Sequence, residues 1–268
     1  MDPASIHVAH WGDAGPRVVL VHGGAQGTPV GGERNFANQR VLAERGWRLI
    51  VPDRPGHGRS PDPGRPDDAE ADGAWIADLL EDGAHLVGHS FGGCCALSAA
   101  ARRPSAVRSL TLVEPAMHVL ARSDPRVMRF LLKMGTTLVF STSAAGRARR
   151  LMKLLGIPPE LTGRDDDELA RLGRAVTRVR LPSKATLERE LGAIAQVGIP
   201  LLVVTGGWSP AFEASSDRVA ATGKGRRAVV RSEHHFPQWM ADAFNPVLED
   251  FLDEATRVRP SARRADGD

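Results

Sequence analysis

Short, mostly apolar runs alternate along this chain with helical patterns, and that alternation constrains its fold more than any other feature. Residues 17–21 form such a run and stop at His22-Gly23-Gly24. Similar runs cover 47–51, 84–88, 109–113, 200–205 and 227–230. A strand that is apolar along its whole length is buried on both faces, as in a parallel sheet covered by helices. Helical patterns at 34–45, 67–82, 91–103 and 237–256 separate the runs, which predicts an α/β protein with a mostly parallel sheet and helices on both faces. Residues 5–11 fit an additional antiparallel edge strand.

Two segments break the alternation. Residues 116–196 carry helical stretches at 124–135, 143–155, 166–178 and 184–195 and no good strand. So long an insertion is not an ordinary connection. It predicts a helical cap set into a core built from residues 1–115 and 197–256. Residues 257–268 are charged and rich in Pro, Gly and Ala, and are expected to be a disordered tail. The chain contains no internal repeat.

Composition narrows the function classes. A net charge of +3 over 268 residues is too small for the cationic footprint of a nucleic-acid binder. No apolar run approaches the roughly 18 residues of a membrane span. Met1-Asp2-Pro3 opens no basic-then-apolar leader, so a cytoplasmic location is expected. The two cysteines, Cys94 and Cys95, are adjacent, which suits neither a long-range disulfide nor a zinc site. With no tyrosine, the chain has no phenol for catalysis.

The chemistry converges on Gly88-His89-Ser90-Phe91-Gly92, a G-x-S-x-G pattern between an apolar strand and a small-residue helix. A nucleophile on so sharp a turn takes strained backbone angles, and its neighbours at two residues' distance leave no room for a β-carbon. The turn aims the Phe91 N–H and the positive end of the next helix at one point. The loop His22-Gly23-Gly24 is expected beside it, which nominates the Gly24 and Phe91 amides as oxyanion donors.

Taken with the loop from Pro52 to Ser60 and a late histidine, these motifs make the chain resemble the α/β-hydrolase superfamily over residues 5–256. The resemblance implies an α/β-hydrolase fold of the eight-strand type, with a cap inserted after the sixth strand. The first 16 residues are short for the usual pair of opening strands. It implies a late histidine as general base. His234 and His235 are the candidates, and the register of Ser232-Glu233-His234-His235-Phe236-Pro237 favours His235. The usual acid position, after the seventh strand, holds Ser209, whose hydroxyl cannot stabilise an imidazolium as a carboxylate does. Glu213 and Asp217 come too late for that turn. A second location in the superfamily follows the sixth strand, where this chain has Glu114-Pro115, at a spacing from Ser90 similar to lactone-cleaving relatives with a Ser-His-Glu triad.

These residues predict a serine hydrolase of the esterase or lactonase type, acting through an acyl-enzyme on Ser90, with His235 as base and Glu114 as acid. A carbon–carbon bond hydrolase, lyase or cyclase could use the same triad, and a non-catalytic ligand receptor could keep the scaffold. Candidate substrate-binding residues are His89, Met117, His118, Phe130, Met134, Trp208, Phe212 and Trp239, a mixture suited to a medium-sized apolar ester or lactone. No metal or cofactor is implied, and the expected partner is a small-molecule substrate rather than nucleic acid or a membrane. The sequence leaves the oligomeric state open. Charge is uneven: residues 116–199 carry a net +7, against −3 for 1–115 and −1 for 200–268. A solvated helix face explains a basic cap; steering of an anionic or carrier-bound substrate is the alternative.

Overall fold

The computed structural model describes residues 5–26, 31–158 and 165–258. Among them lies a seven-stranded sheet built from β1 (Val8–Trp11), β2 (Arg17–Val21), β3 (Arg48–Pro52), β4 (Ala84–His89), β5 (Val107–Val113), β6 (Leu201–Thr205) and β7 (Arg226–Val229). The spatial order is β1-β3-β2-β4-β5-β6-β7. Only β1 runs antiparallel, on the outer side of β3.

The apolar runs are strands because both their faces are covered. In β2, Val19 and Val21 enter one core cluster with residues of α3 (Ala69–Asp78), α4 (Phe91–Arg102) and α9 (Pro210–Gly223). Val18 and Leu20, pointing the other way, join a second cluster with Leu42 of α2 (Val41–Glu44) and Phe244 and Leu248 of α10 (Ala241–Val258). This is the two-residue period of a strand between two helical layers.

The single helix expected over 34–45 is broken into α1 (Gly32–Asn35), a 3-10 turn at Ala37–Gln39, and α2. The side chains of Asn35 and Gln39 are recruited into hydrogen bonds with the segment around Gln238, and these tertiary bonds override the local helical pattern.

The segment expected as cap divides. In the first part, α5 (Pro125–Phe140), α6 (Ala144–Leu154) and α7 (Asp166–Ala175) follow in turn. Each is started by a side-chain cap, from Asp124, Ser143 and Asp165 respectively. Gly173 lets α7 cross α6 closely, since a β-carbon there would meet the Ala144 carbonyl. The fourth helix, α8 (Lys184–Val197), instead places Leu187, Leu191 and Ile194 in the same cluster as Leu97 of α4 and Val203 of β6. An amphipathic period announces a buried face but not its partner, so the sequence alone joined α8 to the cap.

At the C-terminus α10 runs to Val258, so Arg257 and Val258, expected in the tail, complete a helix. The remainder of that expected tail, 259–268, lies outside the described residues. Cys94 and Cys95 are free and buried in α4. No helix among the described residues is long and apolar enough to cross a membrane.

Candidate active site

Ser90 joins β4 to α4 with φ 55° and ψ −121°, a region that costs most residues energy. The glycines around it make the turn possible. A β-carbon on Gly88 would stand 2.5 Å from the Gly92 carbonyl oxygen, and one on Gly92 would run into the backbone oxygens of Val21 and His22. Gly23 is equally confined, since a β-carbon there would lie 2.6 Å from Ser90 Cβ.

Glu114 ends the neighbouring strand β5, with φ 47° and no exposed surface. Its carboxylate is fully engaged. Oε1 accepts the Gly206 N–H at 2.6 Å, and Oε2 accepts the Trp208 indole N–H at 3.2 Å. The same Oε2 lies 3.2 Å from His235 Nδ1. With seven strands among the described residues instead of the eight expected, Glu114 follows β5 and Ser209 follows β6, so the loop at the family's usual acid position wraps around a carboxylate supplied by the strand before it. Ser209 caps α9 there without a side-chain hydrogen bond. Glu213 and Asp217 lie on α9 and pair with Arg227 instead.

Burial pushes the Glu114 carboxyl up to about 7, against the pull of the Gly206 and Trp208 donors. Burial, helped by neighbouring His234, pushes His235 down to about 3. At neutral pH the imidazole is therefore neutral, and its Nδ1–H donates to Glu114. Nε2 of His235 is buried and makes no hydrogen bond among the described residues. His234 does not reach Glu114: its Nδ1 accepts the Phe236 N–H at 3.2 Å.

His89 supports this imidazole from below. Its Nε2–H donates to the His235 carbonyl at 2.8 Å, and its Nδ1 accepts from Asn35 Nδ2 at 3.2 Å. Asn35 Oδ1 accepts from Gln238 Nε2, and the Gln238 carbonyl accepts from Gln39 Nε2. This buried chain of amides pins the histidine loop to the segment after β2. The motif search passed over Asn35, Gln39 and Gln238, because their partners lie about 200 residues away in sequence.

The expected oxyanion loop is held by a further residue that the sequence does not single out. Arg54 is fully buried and pairs with Asp67 at 2.7 Å and Asp72 at 2.8 Å. Its remaining donors go to the His22 carbonyl at 3.0 Å, the Gly24 carbonyl at 3.1 Å and His57 Nε2 at 3.1 Å. The Arg54 backbone N–H also donates to His22 Nε2, which fixes His22 as the Nδ1–H tautomer bonded to the Gly23 carbonyl. Burial keeps His22 and His57 neutral beside this cation. Phe91 opens α4, so its amide has no partner within the helix, and its ring lies under the Arg54 guanidinium at 4.8 Å.

Ser90, His235, Gly24 and Phe91 line one cavity of about 320 Å³. Of the residues expected to bind substrate, His89, His118, Met134 and Phe212 line it. Four others do not. Met117 is part of the main core, and Phe130 packs behind His118 and Phe212. Trp208 is spent on Glu114, and Trp239 stacks on Phe236 with its N–H on the Asn35 carbonyl. The rest of the lining includes Leu138 of α5, Leu151 and Met152 of α6, and Leu172 and Val176 in and just after α7. Their apolar stripes read as ordinary helix core. No Lys, Arg, Asp or Glu lines the cavity among the described residues, and no group of three or more potential metal ligands gathers there or elsewhere among them.

Comparison with known proteins agrees with this architecture. The family model described as alpha/beta hydrolase fold matches residues 16–159. The chain is 30% identical over 195 residues to Lipase LipV of Mycobacterium tuberculosis, covering 69% of this chain and 71% of that one. It is 27% identical over 263 residues to a pimeloyl-[acyl-carrier protein] methyl ester esterase of Neisseria meningitidis, covering 95% and 82%. Among solved structures, a hydrolase from Oleispira antarctica superposes with a TM-score of 0.70 at 16% identity, over 94% of this chain and 96% of that one.

Proposed function

Because the chain belongs to the alpha/beta hydrolase fold family, we propose that it is a serine hydrolase that cleaves a medium-sized apolar carboxylic ester or lactone. The carrying observation is the contact between His235 Nδ1 and Glu114 Oε2, in the wall of the cavity that Ser90 also lines. A neutral imidazole anchored at Nδ1 by a carboxylate presents Nε2 as a base.

In this reading Ser90 Oγ attacks the substrate carbonyl while His235 Nε2 takes its proton. The Gly24 and Phe91 amides receive the negative charge on the carbonyl oxygen. His235 returns the proton to the leaving oxygen, which departs as an alcohol or, from a lactone, stays tethered to the acyl group. Water, deprotonated by His235, then releases the acid from Ser90. Glu114 holds the tautomer and stabilises the imidazolium throughout. A hydrogen bond between Ser90 and His235 that tightens only with substrate is usual for such pairs.

The cavity supports the substrate class. Its volume of about 320 Å³ fits a small to medium acyl group, and its lining offers nothing to neutralise a charge. The similarity to a lipase and a methyl ester esterase supports ester chemistry. The test is a panel of p-nitrophenyl esters of increasing chain length together with simple lactones. Turnover should favour medium chains and vanish in Ser90→Ala. Turnover that persists in Ser90→Ala, or its absence across the panel, would sink the reading.

A further inference from the structure

One face of α5 is not used by the fold. Val127, Phe130 and Met134 turn inward, toward α9 and the cavity. Met128, Leu132, Val139 and Phe140 turn outward and are 43%, 61%, 70% and 74% exposed. Residues 128, 132 and 139 lie along one helical stripe, with 140 beside its end. Single exposed apolar side chains are ordinary, whereas four large ones on one helix mark a contact surface.

Cations accompany this stripe. Arg129 and Lys133 run one position behind Met128 and Leu132, and neither has an ion-pair partner among the described residues. With Arg126, whose guanidinium is paired with Asp124 at 2.7 Å, they border a groove of about 160 Å³ floored by Phe130, Leu154 and Pro210. Residues 125–158 contain seven Lys and Arg and no Asp or Glu.

The stripe leads to the cavity. Leu138, just before Val139, lines it, as does Leu181, which is 49% exposed and therefore sits at the rim. Arg147 bonds the Leu138 and Gly173 carbonyls, both at 3.0 Å, and so holds the end of α5 against α7.

We propose that this face of α5 docks the protein on the surface of an anionic phospholipid bilayer, so that an amphiphilic ester can pass from the bilayer into the cavity. The passage of substrate rests on the function proposed above; the docking does not. A bilayer answers both halves of the face: acyl chains take the apolar stripe, and head-group phosphates take the cations. A second copy of the chain would set the cations against one another, and an acidic protein would answer only the charge. The helix, roughly 24 Å long at 1.5 Å per residue, can lie flat in the interface. This departs from the sequence expectation of no membrane partner; surface docking needs no spanning segment.

The test is flotation with phosphatidylcholine vesicles, with and without about 30% phosphatidylglycerol, at low and high salt. The protein should float with the anionic vesicles and be released by salt. Leu132→Asp/Phe140→Asp and Arg129→Gln/Lys133→Gln should each weaken binding by roughly tenfold or more. Both should keep the wild-type circular dichroism and the wild-type turnover of a short water-soluble ester. Failure of the wild type to float, undiminished binding by both variants, or a wild-type dimer in ultracentrifugation that Leu132→Asp/Phe140→Asp dissociates would overturn the docking. If no ester is turned over by any form, the proposed function fails while the flotation result still decides the docking.

Discussion

Ser90 and Glu114 stand one residue beyond the ends of adjacent parallel strands, and the Ser90 N–H donates to the carbonyl of Val113, the residue before Glu114, at 2.9 Å. Both have positive φ, 55° and 47°, although neither is glycine. Such angles cost on the order of 1–3 kcal/mol each and persist only where the surroundings enforce them. Here the strands end at the cavity: Ser90 lines it, and the Glu114 carboxylate meets the His235 imidazole in its wall.

Replacing the carboxylate tests that relationship. Glu114→Gln should remain folded yet lose roughly 10³–10⁴-fold in kcat, because the amide no longer holds the productive tautomer. Asp217→Ala removes a contact with Arg227, and Glu213→Ala removes one with Arg227 and one with the Gly207 N–H, neither of which touches Glu114 or His235, so both should keep kcat within a few-fold. Steady-state kinetics with a p-nitrophenyl ester separates the cases, and near-normal turnover in Glu114→Gln would remove Glu114 from the triad.

The pH profile offers a second test. Burial raises Glu114 to about 7, and the Trp208 indole N–H lowers it by favouring the charged form. The active state needs Glu114 ionised and His235 neutral, so kcat/KM should fall as pH drops through the titration of the pair. Trp208→Phe removes a donor to the carboxylate, raises its pKa, and should move this acid limb to higher pH by up to about one unit. An unmoved limb, or one shifted to lower pH, would contradict the assigned contact.

Much of the sheet was legible because doubly buried strands are dominated by apolar residues, and 17–21 or 109–113, apolar but for Arg17, Ser109 and Thr111, admit few other readings. The nucleophile turn was legible because its geometry demands glycine at 88 and 92 in any chain. The supports of the site were not. Arg54 looks like one more loop charge until Asp67 and Asp72 bury it, and Asn35 looks like a helix residue until Gln238 bonds it. Trp208 was read as a pocket wall because an aromatic ring announces apolar surface, whereas its indole N–H decides its place. Local pattern reports which face of an element is buried, not which distant residue meets it.

Arg54 carries a prediction on stability. Burial works against its charge, but the Asp67 and Asp72 carboxylates hold its pKa above the ordinary value. Arg54→Met would leave two buried carboxylates without their partner, at a cost of roughly 3–5 kcal/mol. It would also release the His22 and Gly24 carbonyls. Denaturant unfolding should show that loss. If enough protein folds to assay, kcat should drop by roughly 10²-fold, as for a weakened oxyanion site. Unchanged stability would contradict the buried ion-pair geometry.

The glycines separate confinement from convenience. Gly23→Ala places a β-carbon against Ser90 and the His89 carbonyl and should abolish turnover. Gly135, exposed in the middle of α5, has nothing within 4 Å of an added β-carbon. Gly135→Ala should raise stability by about 0.5–1 kcal/mol through helix propensity, with activity unchanged. Thermal unfolding should show the gain in Gly135→Ala, and ester turnover the loss in Gly23→Ala alone.

The central claim, that Ser90 is a nucleophile activated by His235 and Glu114, is most directly tested by labelling with a serine-directed fluorophosphonate, read as intact mass and then mapped by peptide sequencing. One adduct should form rapidly on the peptide containing Ser90. It should be absent in Ser90→Ala and His235→Ala and strongly slowed in Glu114→Gln. An adduct on another residue, or undiminished labelling in Ser90→Ala, would contradict the account.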